Sequence, residues 1–432
     1  MMPLDPTSGS EATDPERTAG HRRRPAPGGV AVTGLGLLTP AGRGPDACWQ
    51  GLRQGVGLAV RDPVLAGLPV DLFCPVRAVD PVGVLGRRTA RRLDRFAHLA
   101  LIAARDAVTD AGLAPDDWDA PRVGVILGIG GNSLDTYGRE FRRLDADMPH
   151  LVSPTALTRS VPNMVAAEVA IDLGARGPGF TVAGACASGA MALGVAAGLV
   201  ESGACDIVLA GSGESARGRM GATCFHQMGA LSRRTDRPAE ACRPFDAERD
   251  GLVLSEGAAI LVLEDPQHAR RRGARARAVL RGHAFSSDAY HPVLPRPDGT
   301  GAVQAMRQAI TAAGCTPGEV DHVNAHGTAT VAGDAAEALA LREVFGGDPP
   351  PVTAPKSVLG HSLGASGAIE AAVTVLALER QEIPPTANLR QQDAGRELDV
   401  VTDGTRPARL DAAMTNSFGF GGQNAVLLFG RA

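Results

Sequence analysis

A chain of 432 residues that is 44% hydrophobic and 21% charged can bury one large core or two medium ones, and so can enclose a catalytic site. Its formal net charge of -4 excludes the strongly basic footprint of a general nucleic-acid binder. Seven cysteines, at positions 48, 74, 186, 205, 224, 242 and 315, show no C-x-x-C spacing, which argues against a zinc site or a disulfide framework and for a reducing cytoplasm.

Residues 1–28 lack an apolar signal-like segment and read as a disordered tail. No later apolar run reaches the 18 or so residues that a membrane span needs. "VAVTGLGLLTP" and "RVGVILGIGG" are short β-rich runs ending in glycine, and between them Arg87 to Ala111 carries one helical period. Within it Arg87, Arg88, Arg91, Arg92 and Arg95 lie at helical spacing and leave Phe96, Leu99 and Ile102 as an inward stripe. A solvated helix face is the ordinary reading of such arginines.

"GPGFTVAGACASGAMALGVAAGLVESGACDIVLAGSGES" reads as strand, small-residue turn at Cys186, helix to about Glu201, then strand from Asp206 to Ala210. The later chain repeats the scheme. "VDHVNAHGTAT" is a strand ending at His326, Ser362 to Arg380 a helix after a glycine-rich turn, and "MTNSFGFGGQNAVLLF" a closing strand, glycine loop and strand. This is α/β grammar, with two similar halves expected at 29–265 and 266–432 and the site between them.

Cys186 stands out from the other cysteines. Ala185, Ala187, Ser188, Gly189 and Ala190 leave room for a ligand, and a helix N-terminus would favour the thiolate. His326 and His361 each end an element and are followed by glycine and hydroxyl residues. One thiol and two such imidazoles suit thioester chemistry, in which the thiolate attacks and the imidazoles meet oxyanion charge. Spacings of 140 and 35 residues match no metal-ligand pattern. Lys356 is the only lysine among 43 basic side chains, which marks a position where a guanidinium would not serve.

"GACASGAMAL", "VNAHGTAT", "KSVLGHSLGASGAIEAA" and "NSFGFGGQNAVLLF", in that order, resemble the β-ketoacyl-[acyl carrier protein] synthases of the elongating condensing-enzyme class. The likeness also covers "RPFDAERDGLVLSEGAAILVLE", "SSDAYH" and "PPTANL", and so runs from Val30 to Phe429. The resemblance implies the thiolase fold, a duplicated five-layer α/β/α/β/α sandwich, and a dimer. That dimer is either a homodimer or a heterodimer with a chain-length-factor-like subunit. It implies substrates carried on the phosphopantetheine of an acyl carrier protein, with no other cofactor and no metal.

By matching position, Cys186 would take the acyl chain while His326 and His361 hold the enolate oxygen of a malonyl thioester. Backbone N–H groups of Cys186 and Phe420 would form the oxyanion hole. Phe420 also matches a gate residue flanked by Gly419, Gly421 and Gly422, which would let the loop move. Thr328 and Thr330 match positions along the pantetheine arm, and Lys356 with Glu370 matches a buried ion pair beneath both histidines. For an acidic carrier, Arg88, Arg91 and Arg92 would be the docking face. Val331, Val293 and Ser255 depart from the residues common in that class (Pro, Thr and Gly). A chain-length factor would lack Cys186, and a thiolase proper would need a later cysteine than Cys315. Primary fatty-acid elongation and a specialised polyketide pathway both remain open at this point.

Overall fold

The computed structural model describes residues 28–77, 79–131 and 134–432, so the expected tail, apart from Gly28, lies outside the described residues. Five strands, β1 (Val30–Thr39), β2 (Val123–Gly128), β3 (Gly179–Val182), β4 (Ile207–Ser215) and β5 (Leu254–Glu264), line up in the order β3-β2-β4-β5-β1. Five more, β6 (Ala278–Ser287), β7 (His322–Asn324), β8 (Val352–Thr353), β9 (Ala412–Gly419) and β10 (Gln423–Arg431), line up as β8-β7-β9-β10-β6. Counted from β1 or from β6, each set has two antiparallel pairings followed by two parallel ones. The same order and polarity occur twice, and the two sets meet where Val30–Val32 pairs with Ala278–Leu280.

Helices α1 (Arg95–Asp110) and α2 (Met164–Leu173) cover the outer face of the first set. Helix α3 (Ser188–Glu201) belongs to the middle layer; α4 (Thr300–Ala312) and α5 (Val331–Phe345) lie outside the second set. Helix α6 (Ser366–Arg380) joins α3 between the two, which completes the five layers of the thiolase fold. Strand residues alternate between cores. In β5, Ala259, Leu261 and Leu263 face the middle layer while Ala258, Ile260 and Val262 face α1. Strands covered on both faces read as unbroken apolar runs, which is why their sequences lack polar alternation. Every residue of α6 from Ser366 to Leu378 is buried, as expected of a helix apolar all round.

The turns that open the two inner helices share a geometry. Ala185–Ala187 and Leu363–Ala365 are single 3-10 turns that begin at positive φ, 49° at Ala185 and 50° at Leu363. Each is pinned by the first serine of its helix. Ser188 Oγ accepts from Gly184 N at 2.9 Å, and Ser366 Oγ accepts from Ser362 N at 3.0 Å.

Elsewhere the structure departs from expectation. The continuous helical period at Arg87–Ala111 is broken into Arg87–Arg92 and α1, because Leu93 takes an extended backbone and buries its side chain. The strand after the Cys186 helix runs on to Ser215, since its outer and inner faces both stay covered. Among the described residues no helix is long and apolar enough to cross a membrane.

Candidate active site

The α3 turn places Cys186 in a cleft also lined by His326, His361, Phe225, Thr328, Thr330, Phe418 and Phe420. Cys186 Sγ lies 3.1 Å from His361 Nε2. The backbone N–H groups of Phe420 and Cys186 both lie against the sulfur and favour its anion. Burial nevertheless wins and pushes the thiol up to about 11, with the nearby Lys356 charge opposing it. Burial thus works against the thiolate that the helix N-terminus favours, and a thiol at this position would need an acceptor for its proton.

His361 can be that acceptor. Burial first and the Lys356 charge second hold its imidazole well below the usual range, so the ring is neutral. Its Nδ1 lies 2.9 Å from Ser366 Oγ, and its backbone is tied to the strand leading into β5 through His361 N to Val253 O (2.7 Å) and Ser255 N to His361 O (3.0 Å).

His326 stands edge-on to His361 with ring centroids 5.6 Å apart, and is likewise neutral through burial and the Lys356 charge. Glu337 on α5 orients it by accepting from His326 N and Gly327 N, each at 2.8 Å. The Lys356 Nζ meets three acceptors: His326 O at 2.6 Å, His326 Nδ1 at 3.2 Å and a Glu370 carboxylate oxygen. Three acceptors account for all three hydrogens of an ammonium. Because an ammonium only donates, His326 Nδ1 carries the lone pair and Nε2 carries the hydrogen. Lys356 and Glu370 are each 2% exposed. The pair therefore serves His326, and not both imidazoles as expected; His361 has Ser366 instead.

The hairpin between β9 and β10 brings Phe420 over the cleft, where its ring stacks on Phe225 at 5.8 Å. Gly419 is required by close approach: a Cβ there would sit 2.5 Å from Gly184 O and 3.1 Å from Cys186 N. Gly421 and Gly422 turn the chain at φ 80° and 70°. These glycines answer fixed geometric needs, so loop movement is not required to explain them. Thr328 and Thr330 line the cleft with their hydroxyls 2.9 Å apart, and Thr330 Oγ1 caps α5 through Gly333 N.

Family comparison accounts for nearly all of the described chain. Residues 28–269 match the beta-ketoacyl synthase N-terminal domain, and residues 277–390 the beta-ketoacyl synthase C-terminal domain. The chain belongs to the β-ketoacyl synthase family. This synthase is 39% identical to the 3-oxoacyl-[acyl-carrier-protein] synthase 2 of Synechocystis sp., over 93% of its own length and 97% of that protein. It superposes on a beta-ketoacyl synthase from Burkholderia phymatum with TM-score 0.89 at 33% identity, covering 94% of this chain and all of that one. It also superposes on the ishigamide ketosynthase/chain length factor with TM-score 0.87 at 33% identity, with the same coverage. The synthase is thus an acyltransferase of the thiolase superfamily.

The arginine face is only partly available. Arg92 spends its guanidinium on Glu168, Nη1 to Oε1 at 2.6 Å, and Arg95 pairs with the buried Glu256 at 2.8 Å. Arg88 and Arg91 are exposed. Sequence reading also passed over Glu337, Ser366 and Phe225. The first two carry a faint signal, an acid on an Ala/Leu-rich helix and a serine five residues after His361; Phe225 carries none.

Proposed function

We propose that this synthase lengthens an acyl chain by decarboxylative Claisen condensation on substrates held by the phosphopantetheine of an acyl carrier protein. Cys186 sulfur adds to the incoming acyl thioester carbonyl while its proton passes to His361 Nε2. The carbonyl oxygen is held by the Cys186 and Phe420 N–H groups, and the pantetheine thiolate leaves with that proton. A malonyl thioester then enters along Thr328 and Thr330 and loses CO2. The charge that appears on its thioester oxygen is met by Nε2–H of His326 and of His361. The carbanion attacks the Cys186 acyl carbonyl, and the sulfur departs as a thiolate to give the β-ketoacyl thioester; one proton from solvent, the proton that the overall decarboxylative condensation consumes, restores the thiol.

The observation that carries this reading is the 3.1 Å contact of Cys186 Sγ with His361 Nε2, beside a His326 whose tautomer an ammonium sets. The seven free thiols fit a reducing cytoplasm. A second subunit of the same fold, identical or chain-length-factor-like, would add at the edge of β3, where Phe180 is 41% exposed beside the exposed Ile171 of α2. Reconstitution with acylated and malonylated carrier proteins tests the function. Mass spectrometry should find a carrier-bound product two carbons longer and one CO2 released per turnover. Acyl-enzyme without any condensed product would overturn it.

A further inference from the structure

The two imidazoles differ in what their inner nitrogens face. His326 Nδ1 faces an ammonium, which permits one tautomer only. His361 Nδ1 faces a hydroxyl, Ser366 Oγ at 2.9 Å, which can accept or donate. Ser366 Oγ already accepts from Ser362 N at 3.0 Å, which leaves one lone pair and one hydrogen for two neighbours, His361 Nδ1 and Ser362 Oγ at 3.2 Å. Both arrangements satisfy His361 Nδ1 and Ser366 Oγ. In one, Nδ1–H donates to Ser366 and Ser366 donates to Ser362 Oγ, so His361 Nε2 offers a lone pair to the Cys186 thiol. In the other, Ser362 O–H donates to Ser366 and Ser366 donates to Nδ1, so Nε2 carries a hydrogen toward the cleft.

We infer that His361 changes tautomer between the two half-reactions and that Ser366, a positioning residue backed by Ser362, is what permits the change. The inference rests on the roles proposed above for His361. The free thiol donates to Nε2 and selects the Nδ1–H form, which is the form able to take the thiol proton. Once Cys186 is a thioester its sulfur has no hydrogen to give, and the Nε2–H form becomes the one that can meet the malonyl oxygen. The change moves two protons and leaves the protein's charge unaltered: Nε2 takes one from water entering the cleft, while the Nδ1 proton passes to Ser366 Oγ as the Ser366 hydrogen passes to Ser362 Oγ, whose own hydrogen is given up to water in the void behind it. Ser362 and Ser366 also border a small void behind the site, walled by Pro40, Leu359 and Ile369 as well as by Lys356, Glu370 and Glu256. The titratable groups around the ring are Cys186, His326, Lys356, Glu370 and, across that void, Glu256.

The test is nitrogen NMR on enzyme labelled with 15N-histidine, with His326 and His361 assigned by His326→Ala and His361→Ala. In free enzyme His361 should show Nδ1–H, and after acylation of Cys186 by an acyl-pantetheine thioester it should show Nε2–H. His326 should show Nε2–H in both states. Ser366→Ala should abolish the change and lower kcat by about tenfold or more at unaltered KM, as expected of a misplaced catalytic group. One tautomer of His361 in both states of the unmodified enzyme would overturn the inference, as would wild-type kcat in Ser366→Ala. If His361→Ala acylated at the wild-type rate, the proposed role and this inference would fall together. Slow acylation in that variant with an unchanging wild-type tautomer would remove the inference alone.

Discussion

At the scale of single residues, Lys356 explains its own rarity. Its Nζ delivers hydrogens from one atom to three acceptors that surround it, one of them the His326 ring. A guanidinium spreads its donors over a wide plane and cannot converge on them in a space this buried. Lys356→Arg should therefore fold but condense at least about tenfold more slowly, with malonyl decarboxylation losing more than Cys186 acylation, because His326 and not His361 is displaced. Separate acylation and decarboxylation assays decide it; equal losses would contradict the assignment. His326→Ala should likewise spare acylation while lowering decarboxylation by about 10²- to 10³-fold, the cost of a lost oxyanion donor. The thiol makes a pH prediction. With Cys186 pushed up to about 11, the thiolate is the minor form at neutral pH and grows as pH rises, so alkylation by iodoacetamide should climb toward about pH 11. Since the Lys356 charge lowers that value, Lys356→Met should move the alkylation profile further to alkaline pH. A plateau below pH 9 in the wild type would refute the protonated resting state.

At the scale of elements, the site depends on how closely α3 and α6 cross. A Cβ on Gly189 would lie 2.8 Å from both Ala368 N and Gly364 O, backbone atoms that cannot rotate aside. Gly189→Ala should therefore destabilise the fold by about 1–3 kcal/mol, the usual cost of overpacking, read as a lower urea midpoint with unchanged slope. The crossing also places Cys186 and His361, 175 residues apart in the chain, within hydrogen-bond reach. The turn that opens each inner helix begins on a positive-φ residue, at a cost of about 1–3 kcal/mol per site, and such strain persists only where the surroundings over-determine it. Here those surroundings are the serine pins at Ser188 and Ser366.

At the scale of the whole molecule, the surfaces that would meet partners are separate from the chemistry. Arg88→Glu with Arg91→Glu should raise KM for carrier-bound substrates and leave small pantetheine thioesters unaffected, and added salt should have the same effect on the wild type. Arg92→Glu is a different experiment, because it leaves Glu168, which is 4% exposed, without its cation and should lower stability first. Unchanged carrier kinetics in the double variant would return the helix Arg87–Arg92 to an ordinary solvated face.

The sequence by itself determined the duplication and singled out Cys186, His326 and His361, which the fold brings into one cleft. Small residues around Cys186, glycines after His326 and His361, and strands apolar on both faces are local requirements, and local requirements are written in local residue order. The same locality explains the one misplaced helix, since a single helical period continues through Leu93 even though burial of that side chain bends the backbone there. Tertiary structure alone decided which support serves which histidine. Lys356 is five residues from His361 in sequence yet bonds to His326, 30 residues away, because the short helix Lys356–Leu359 points its first side chain under β7 and the chain then turns at Gly360. It also decided which influences meet at Cys186: the helix end that favours a thiolate can be read from sequence, but the depth of burial that opposes it is the sum of neighbours contributed by both halves of the fold.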